Sequence, residues 1–116
     1  MQTIVDINPL KLGKIEAYKT FVAEVTGPRQ KEYTNLLNRY GIKTVHAYFH
    51  KIGEVDFVVV VHTAEDDARK RLEHFATSLH PMDKWFREEL SKLHDFSLLN
   101  GRTQAAEAIF AYNVNI

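Results

Sequence analysis

The sequence predicts a single α+β domain in which helices cover one face of an antiparallel sheet. Three observations lead there. Segments with period 2 and period 3.6 alternate in the order strand, helix, strand, strand, helix, strand. The two middle strands are joined by a short turn, Ile52-Gly53-Glu54, which suits an antiparallel hairpin. The chain has 116 residues, the size of one compact core.

The first strand runs from Thr3 to Asn8, with Ile4, Val5 and Ile7 apolar, and Asn8-Pro9 breaks it. After the turn at Gly13, Ile15, Tyr18, Phe21, Val22 and Val25 recur at helical spacing. Thr26-Gly27-Pro28 interrupts that helix. A second piece follows with Tyr33, Leu36, Leu37 and Tyr40 on one side, and Gly41 stands where a left-handed residue ends a helix. Lys43 to Lys51 alternates. Val45, Ala47 and Phe49 form the side expected to meet the helices, and Thr44, His46, Tyr48 and His50 form the other. Val55 to His62 is apolar and β-branched, which predicts a central strand buried on both faces.

Thr63-Ala64-Glu65-Asp66 reads as an N-cap and acidic first turn, opening a helix to about Leu79. Pro81 fits the first position of another helix, with Met82, Trp85, Phe86, Glu89, Leu90 and Leu93 at core spacing. His80 and Asp83 flank its start, and capping is sufficient to explain Asp83. Phe96 to Leu99 reads as a short last strand, ended by Asn100-Gly101. The tail starts helix-like around Ala105, Ala106 and Ala108 and becomes strand-like over Ile109 to Val114. The expected domain therefore spans 1–116, with its core at 3–99 and a C-terminal extension at 100–116.

This element order is the split βαβ arrangement of ferredoxin-like domains. Two helices cover one face of such a sheet. The face with His46, Tyr48 and His50 is half polar and half aromatic, so pairing two sheets would bury it around a partly polar cavity. A symmetric homodimer is expected. The tail strand would extend the sheet or cross to the partner, blunting an edge.

Composition narrows the function classes. Fifteen Lys and Arg balance fifteen Asp and Glu, so neither nucleic acid nor an anionic membrane is expected as partner. Arg29, Lys31, Arg39, Arg69, Lys70 and Arg71 are interleaved with acids, as on a solvated helical surface. The chain has no Cys, which removes disulfides, thiolate catalysis and zinc–thiolate sites. The longest apolar run, Phe57 to Val61, is far too short to span a bilayer. The N-terminus has no basic region followed by an apolar run, so a cytoplasmic protein is expected. Phosphate-loop, dinucleotide, zinc-protease and esterase motifs do not occur, and no cofactor or metal is expected.

The candidate chemistry rests on a few residues, each with a structural alternative. His46 and His50 share a strand face but stand about 13 Å apart, too far to chelate one metal. Either alone suits a general base, or a hydrogen-bonded imidazole in a dimer interface. Asp6 lies opposite Val5 and Ile7. It is a base with a raised pKa if it enters a buried cavity, or a plain edge carboxylate otherwise. His62 caps the next helix or reaches a cavity rim. Trp85 and Phe86 diverge by about 100°, so one packs in the core while the other lines a pocket or interface.

Three stretches carry a resemblance: Lys11-Leu12-Gly13-Lys14, Arg39-Tyr40-Gly41-Ile42, and His80-Pro81-Met82-Asp83-Lys84-Trp85-Phe86. Over residues 3–99 the chain resembles the dimeric α+β barrel superfamily, above all its small bacterial members of uncharacterised function. Relatives include cofactor-independent antibiotic-biosynthesis monooxygenases, haem-degrading enzymes and rhamnose mutarotases. The mutarotases are closest in pattern, but their proton-transferring His on the first helix falls near Val22 here, which cannot move a proton. The monooxygenases use an Asn, a Trp and a polar partner around an aromatic substrate, and Asn8, Trp85 and His46 are matching residue types.

The resemblance implies a homodimer that binds a small organic molecule in the barrel cavity, acting as a cofactor-independent monooxygenase or isomerase. His46, His50 and Asp6 are the candidate catalytic residues, and Asn8, Tyr48, His62 and Trp85 the candidate binding residues. Two other expectations stand beside this one. They are a non-catalytic homodimeric interaction module, and haem binding through a single His.

Overall fold

The computed structural model describes residues 1–95 and 104–114. Strands β1 (Gln2–Pro9), β2 (Ile42–Ile52) and β3 (Val55–Ala64) form an antiparallel sheet with β3 between the other two. A two-residue strand, β4 (Gln104–Ala105), pairs with the outer edge of β1, giving the order β2-β3-β1-β4. The strand expected at Phe96–Leu99 lies outside the described residues. The tail makes no helix at Ala105 and Ala106, because Ala106 N–H donates to the Val5 carbonyl at 2.8 Å and extends the pairing along β1.

Helices α1 (Ile15–Thr26), α2 (Gln30–Arg39) and α4 (Pro81–Leu93) pack on one face. Phe21 and Val25 of α1, Leu36 of α2, and Met82 and Leu93 of α4 join Val58 of the central strand in the core. Phe86 forms the aromatic hub. Its ring lies 5.2 Å from Phe21, 5.8 Å from Tyr33 and 6.1 Å from Phe75. The other sheet face carries Val5, Ile7, Val59 and Val61, and among the described residues no helix packs on it. The central strand is therefore only half-buried there, not buried on both faces.

The break at Gly27-Pro28 and the stop at Gly41 occur where the chain composition places them. Gly41 has φ +73°, and a Cβ there would meet the Arg71 guanidinium and Glu65 carboxylate at 2.9 Å. Its carbonyl accepts from Glu65 N–H at 2.8 Å, so α2 passes into β2 at a point tied to the end of β3.

The segment after β3 departs from expectation. Thr63 and Ala64 belong to the strand, opposite Thr3 and Gln2, and their backbone is committed to the sheet. The acids serve ion pairs instead. Asp66 holds the N-terminal ammonium at 2.8 Å, and Glu65 and Asp67 hold Arg71 at 2.6 and 3.0 Å. The helix expected to reach Leu79 shrinks to α3 (Ala68–Leu72) and a single 3-10 turn at Phe75–Thr77. Arg87 donates to the carbonyls of Phe75 and Ser78 at 2.7 and 2.9 Å, tying the 3-10 turn and the extended residue after it to α4.

Asp83 also departs from expectation. The helix cap at this end is His80, whose Nδ1 accepts from Met82 N–H at 3.2 Å. Asp83 is 0% exposed and has a different task. Arg39 grips its two oxygens at 2.7 and 3.0 Å, and the hydroxyls of Tyr40 and Ser78 donate at 2.6 Å each. Burial alone raises the pKa of this carboxyl. The bonds from Arg39, Ser78 and Tyr40 outweigh it and hold the group far below the carboxylate range. Removing one partner from a buried, bonded ion pair costs about 3–5 kcal/mol.

Asp83→Asn is expected to lower unfolding free energy by about that amount in urea at pH 7. The folded-state pKa lies below the unfolded value of about 3.9, so the stabilisation is complete near neutrality and drains away as pH falls through that value. The variant should lose stability less steeply than the wild type below about pH 5. An equally steep acid limb in both proteins would sink this account.

Candidate functional site

Pairing register decides which side chains share a face. Ile4 stands opposite His62, which stands opposite Val45; Asp6 opposite Val60 and Ala47; Asn8 opposite Val58 and Phe49. All nine line a partly open cavity of about 810 Å³ between the sheet and the helices. That volume lies within the range of small-molecule sites. Its opposite wall is built from Tyr18 and Phe21 of α1, Tyr33 of α2, Phe75, and Phe86 of α4.

Asp6, Asn8 and His62 interrupt an otherwise apolar floor. Burial raises the pKa of the Asp6 carboxyl, although the charges of His62 and Arg69 pull it back. Burial likewise lowers the pKa of His62, against the opposing pull of Asp6. Each group favours the charged form of the other, yet desolvation wins for both. Asn8 is 8% exposed, and its Oδ1 is enclosed without a hydrogen-bond partner among the described residues. His62 Nδ1 is in the same condition. An enclosed polar atom without a partner costs about 1–3 kcal/mol, so a fold does not carry two on one cavity floor cheaply.

His94 follows the last residue of α4 and also lines the cavity. Its Nδ1 lies 3.1 Å from the Pro9 carbonyl, which only accepts, so Nδ1 carries the proton in that bond. Burial lowers the pKa of this imidazole, partly offset by the bond to Pro9. Its ring meets Tyr18 edge-on at 5.8 Å. Burial, with a smaller push from Tyr33, takes the Tyr18 phenol up to about 12, and burial raises Tyr33 as well. Both hydroxyls are therefore neutral at physiological pH.

The expected site residues divide by face. Asp6, Asn8 and His62 line the cavity floor, and Tyr48, opposite Val59 on the helix-free face, reaches the same cavity from the edge strand β2. His46 and His50 do not. They stand opposite Val61 and Phe57, on the sheet face that no helix covers, so neither is placed to act as the base in this cavity. Trp85 also lies outside. It stacks on Phe21 at 5.9 Å beneath the Arg29 guanidinium, while its neighbour Phe86 turns to the cavity. Tyr18, Tyr33 and His94 were not anticipated as site residues. The tyrosines fall at core spacing, and nothing local marks a His just beyond a helix end.

The arrangement is suited to holding and moving a proton. Asp6 and His62 are adjacent groups whose pKa values burial drives toward each other, and Asn8 is placed to orient a bound molecule. Among the described residues no three His, Asp or Glu side chains converge to hold a metal ion. No helix among them is long and apolar enough to cross a membrane. The chain matches no protein-family model, and no curated protein is significantly similar to it.

A carboxyl whose pKa is raised by folding opposes folding once ionised. The folded state binds the proton more tightly, so the penalty is absent below about pH 4 and grows as pH rises through the folded pKa. Asp6→Asn is expected to stabilise the protein at pH 7, within the roughly 0.5–2 kcal/mol typical of single stabilising changes. The gain should vanish in acid. Thermal unfolding of both proteins at pH 7 and pH 3.5 checks this, and a variant less stable at pH 7 would contradict it.

Proposed function

We propose that this protein binds a small organic molecule between its sheet and its helices and acts on it by proton transfer. The observation that carries this reading is the cavity itself, with Asp6, Asn8 and His62 on an otherwise apolar floor and the pKa values of Asp6 and His62 both shifted by burial. Asp6 and His62 together accept the proton, Asn8 orients the substrate, and Tyr18 and Phe86 wall it in. Isomerisation and cofactor-independent oxygenation both begin by removing a proton from the substrate, so both are compatible with this set. The strand order β2-β3-β1-β4 supports the ferredoxin-like arrangement, and the resemblance to dimeric α+β barrels supports a pairing of two copies sheet to sheet. The residues available for that pairing are Val5, Ile7, Val59 and Val61, with Tyr48 57% exposed beside His46 and His50.

That same helix-free face favours a second reading, a homodimeric interaction module without catalysis. There His46 and His50 specify the dimer. His46→Ala, followed by sedimentation velocity and ligand binding, separates the two: loss of the dimer with no ligand at all supports the module. Haem binding through one cavity imidazole, His62 or His94, is checked by adding haemin, and an unshifted Soret band eliminates it.

The cavity reading is tested by a thermal-shift screen of small metabolites. A ligand at a hundred times its Kd adds about 2.7 kcal/mol of stability. At least one compound is expected to raise the Tm of the wild type and of His46→Ala, but not of Val60→Trp, which fills the cavity. With that compound as substrate, Asp6→Asn and His62→Ala should each lose about 10²–10⁴-fold in turnover. Stabilisation that survives in Val60→Trp would place the binding site elsewhere.

A further inference from the structure

The tail beyond β4 leaves its apolar side chains in water. Ala106 N–H still bonds to the Val5 carbonyl, but residues 106–113 belong to no strand or helix. Ile109, Phe110, Tyr112 and Val114 are between 77% and 91% exposed. Single exposed apolar residues are ordinary; four within six consecutive positions make a continuous patch. The segment also has the pattern of a strand. Residues 107–114 contain no Pro or Gly and one charge, Glu107. In an extended chain Phe110, Tyr112 and Val114 share one face, and Ile109, Ala111 and Asn113 the other.

An open strand edge lies at the far side of the sheet. Among the described residues β2 pairs only with β3, so its outer edge has no strand beside it. Lys43, with the register shift next to it, and Lys51 guard the ends of that edge. Residues 45–50 between them contain no Lys, Pro or Gly. Phe49 lies on the helix side and lines the cavity, yet it is 49% exposed, so the cavity is open along this edge.

The tail cannot cover that edge within its own chain. Beyond Val5, β1 offers only Gln2, Thr3 and Ile4, so continued pairing there takes up residues 107–109 and leaves Phe110 and Tyr112 past the end of the strand. A place outside its own β2 lies four strand spacings from β4, about 19 Å away. Crossing that distance uses about six of the eight residues 107–114 and leaves too few to pair. A second copy imposes no such crossing.

We propose that residues 107–114 of one copy add a strand to the outer edge of β2 in a second copy, in a reciprocal exchange. Phe110, Tyr112 and Val114 lie on the helix side beside Val45, Ala47 and Phe49, matching apolar row to apolar row. Ile109 and Ala111 lie on the side of His46 and Tyr48. The added strand gives the open edge main-chain partners, and the exchange closes about a twofold axis. The partner's aromatic side chains then cover the open side of the cavity, so the cavity is complete only in the dimer. The pairing does not depend on what the cavity binds.

The test compares the full chain with a variant carrying Phe110→Asp and Tyr112→Asp, two exposed positions outside the core. Sedimentation equilibrium is expected to show a wild-type dimer and a variant that dimerises at least about tenfold more weakly. Hydrogen exchange of the wild-type dimer is expected to show slowed amides in residues 107–113 and in the outward-pointing half of residues 45–50. Both sets should speed up together on dilution to monomer and in the variant. A monomeric wild type, or a variant dimer as strong as the wild type, overturns the inference. A dimer whose tail amides exchange freely overturns it too, since the interface then lies elsewhere. Tail protection that persists in the monomer does the same, by placing the tail on its own chain.

Discussion

The contact on which the rest of the architecture depends is the buried carboxylate of Asp83. It sits in the first turn of α4 and is held by Arg39 and Tyr40 at the end of α2, and by Ser78 in the turn before α4. Three chain segments that share no regular backbone pairing are thereby fixed to one point. The position of α4 then sets that of Phe86, which touches rings from α1, α2 and the 3-10 turn. The aromatic wall of the cavity is thus a consequence of one ion pair at its end. A buried pair of this kind adds little net stability over an apolar core, but it tolerates only one register of the helices it joins.

The two sheet faces solve opposite problems. The helix side is partly closed by side chains around a volume of about 810 Å³, and among the described residues Asn8 Oδ1 and His62 Nδ1 have no hydrogen-bond partner. The bare side is apolar at its centre and carries imidazoles and a phenol toward β2. One face keeps polar groups away from water and the other leaves apolar groups in it. Both conditions work against the stability of the isolated chain.

Much of this was legible in the chain. The alternation of β2 correctly separates Val45 and Ala47 from His46 and Tyr48. The spacing of α1 and α2 picks out Phe21, Val25 and Leu36, and Pro81 marks the start of α4. Asp6, Asn8 and His62 stand out as polar residues in step with a core-facing pattern. What local pattern misses is set by distant partners. An acid two residues past a Pro reads as a dipole-complementing residue, and only Arg39, 44 residues earlier, makes it a buried anchor. Thr63 and Ala64 suit a helix start until Gln2 and Thr3 pair with them across the sheet. The alternation of β2 assigns Val45, Ala47 and Phe49 to the helix side, where they line the cavity, while His46 and His50 of the half-polar stripe do not line it.

The position of Trp85 gives the molecule a built-in optical gauge. It is the only indole in the chain, sandwiched between Phe21 and the Arg29 guanidinium, which lies 4.0 Å from the ring centre. Its emission is governed by a cation from the α1–α2 connection and by the seam between α1 and α4, outside the cavity. A change in its emission therefore reads as a change in the α1–α4 seam, which meets the cavity at Phe21, a ring that lines the one and stacks in the other.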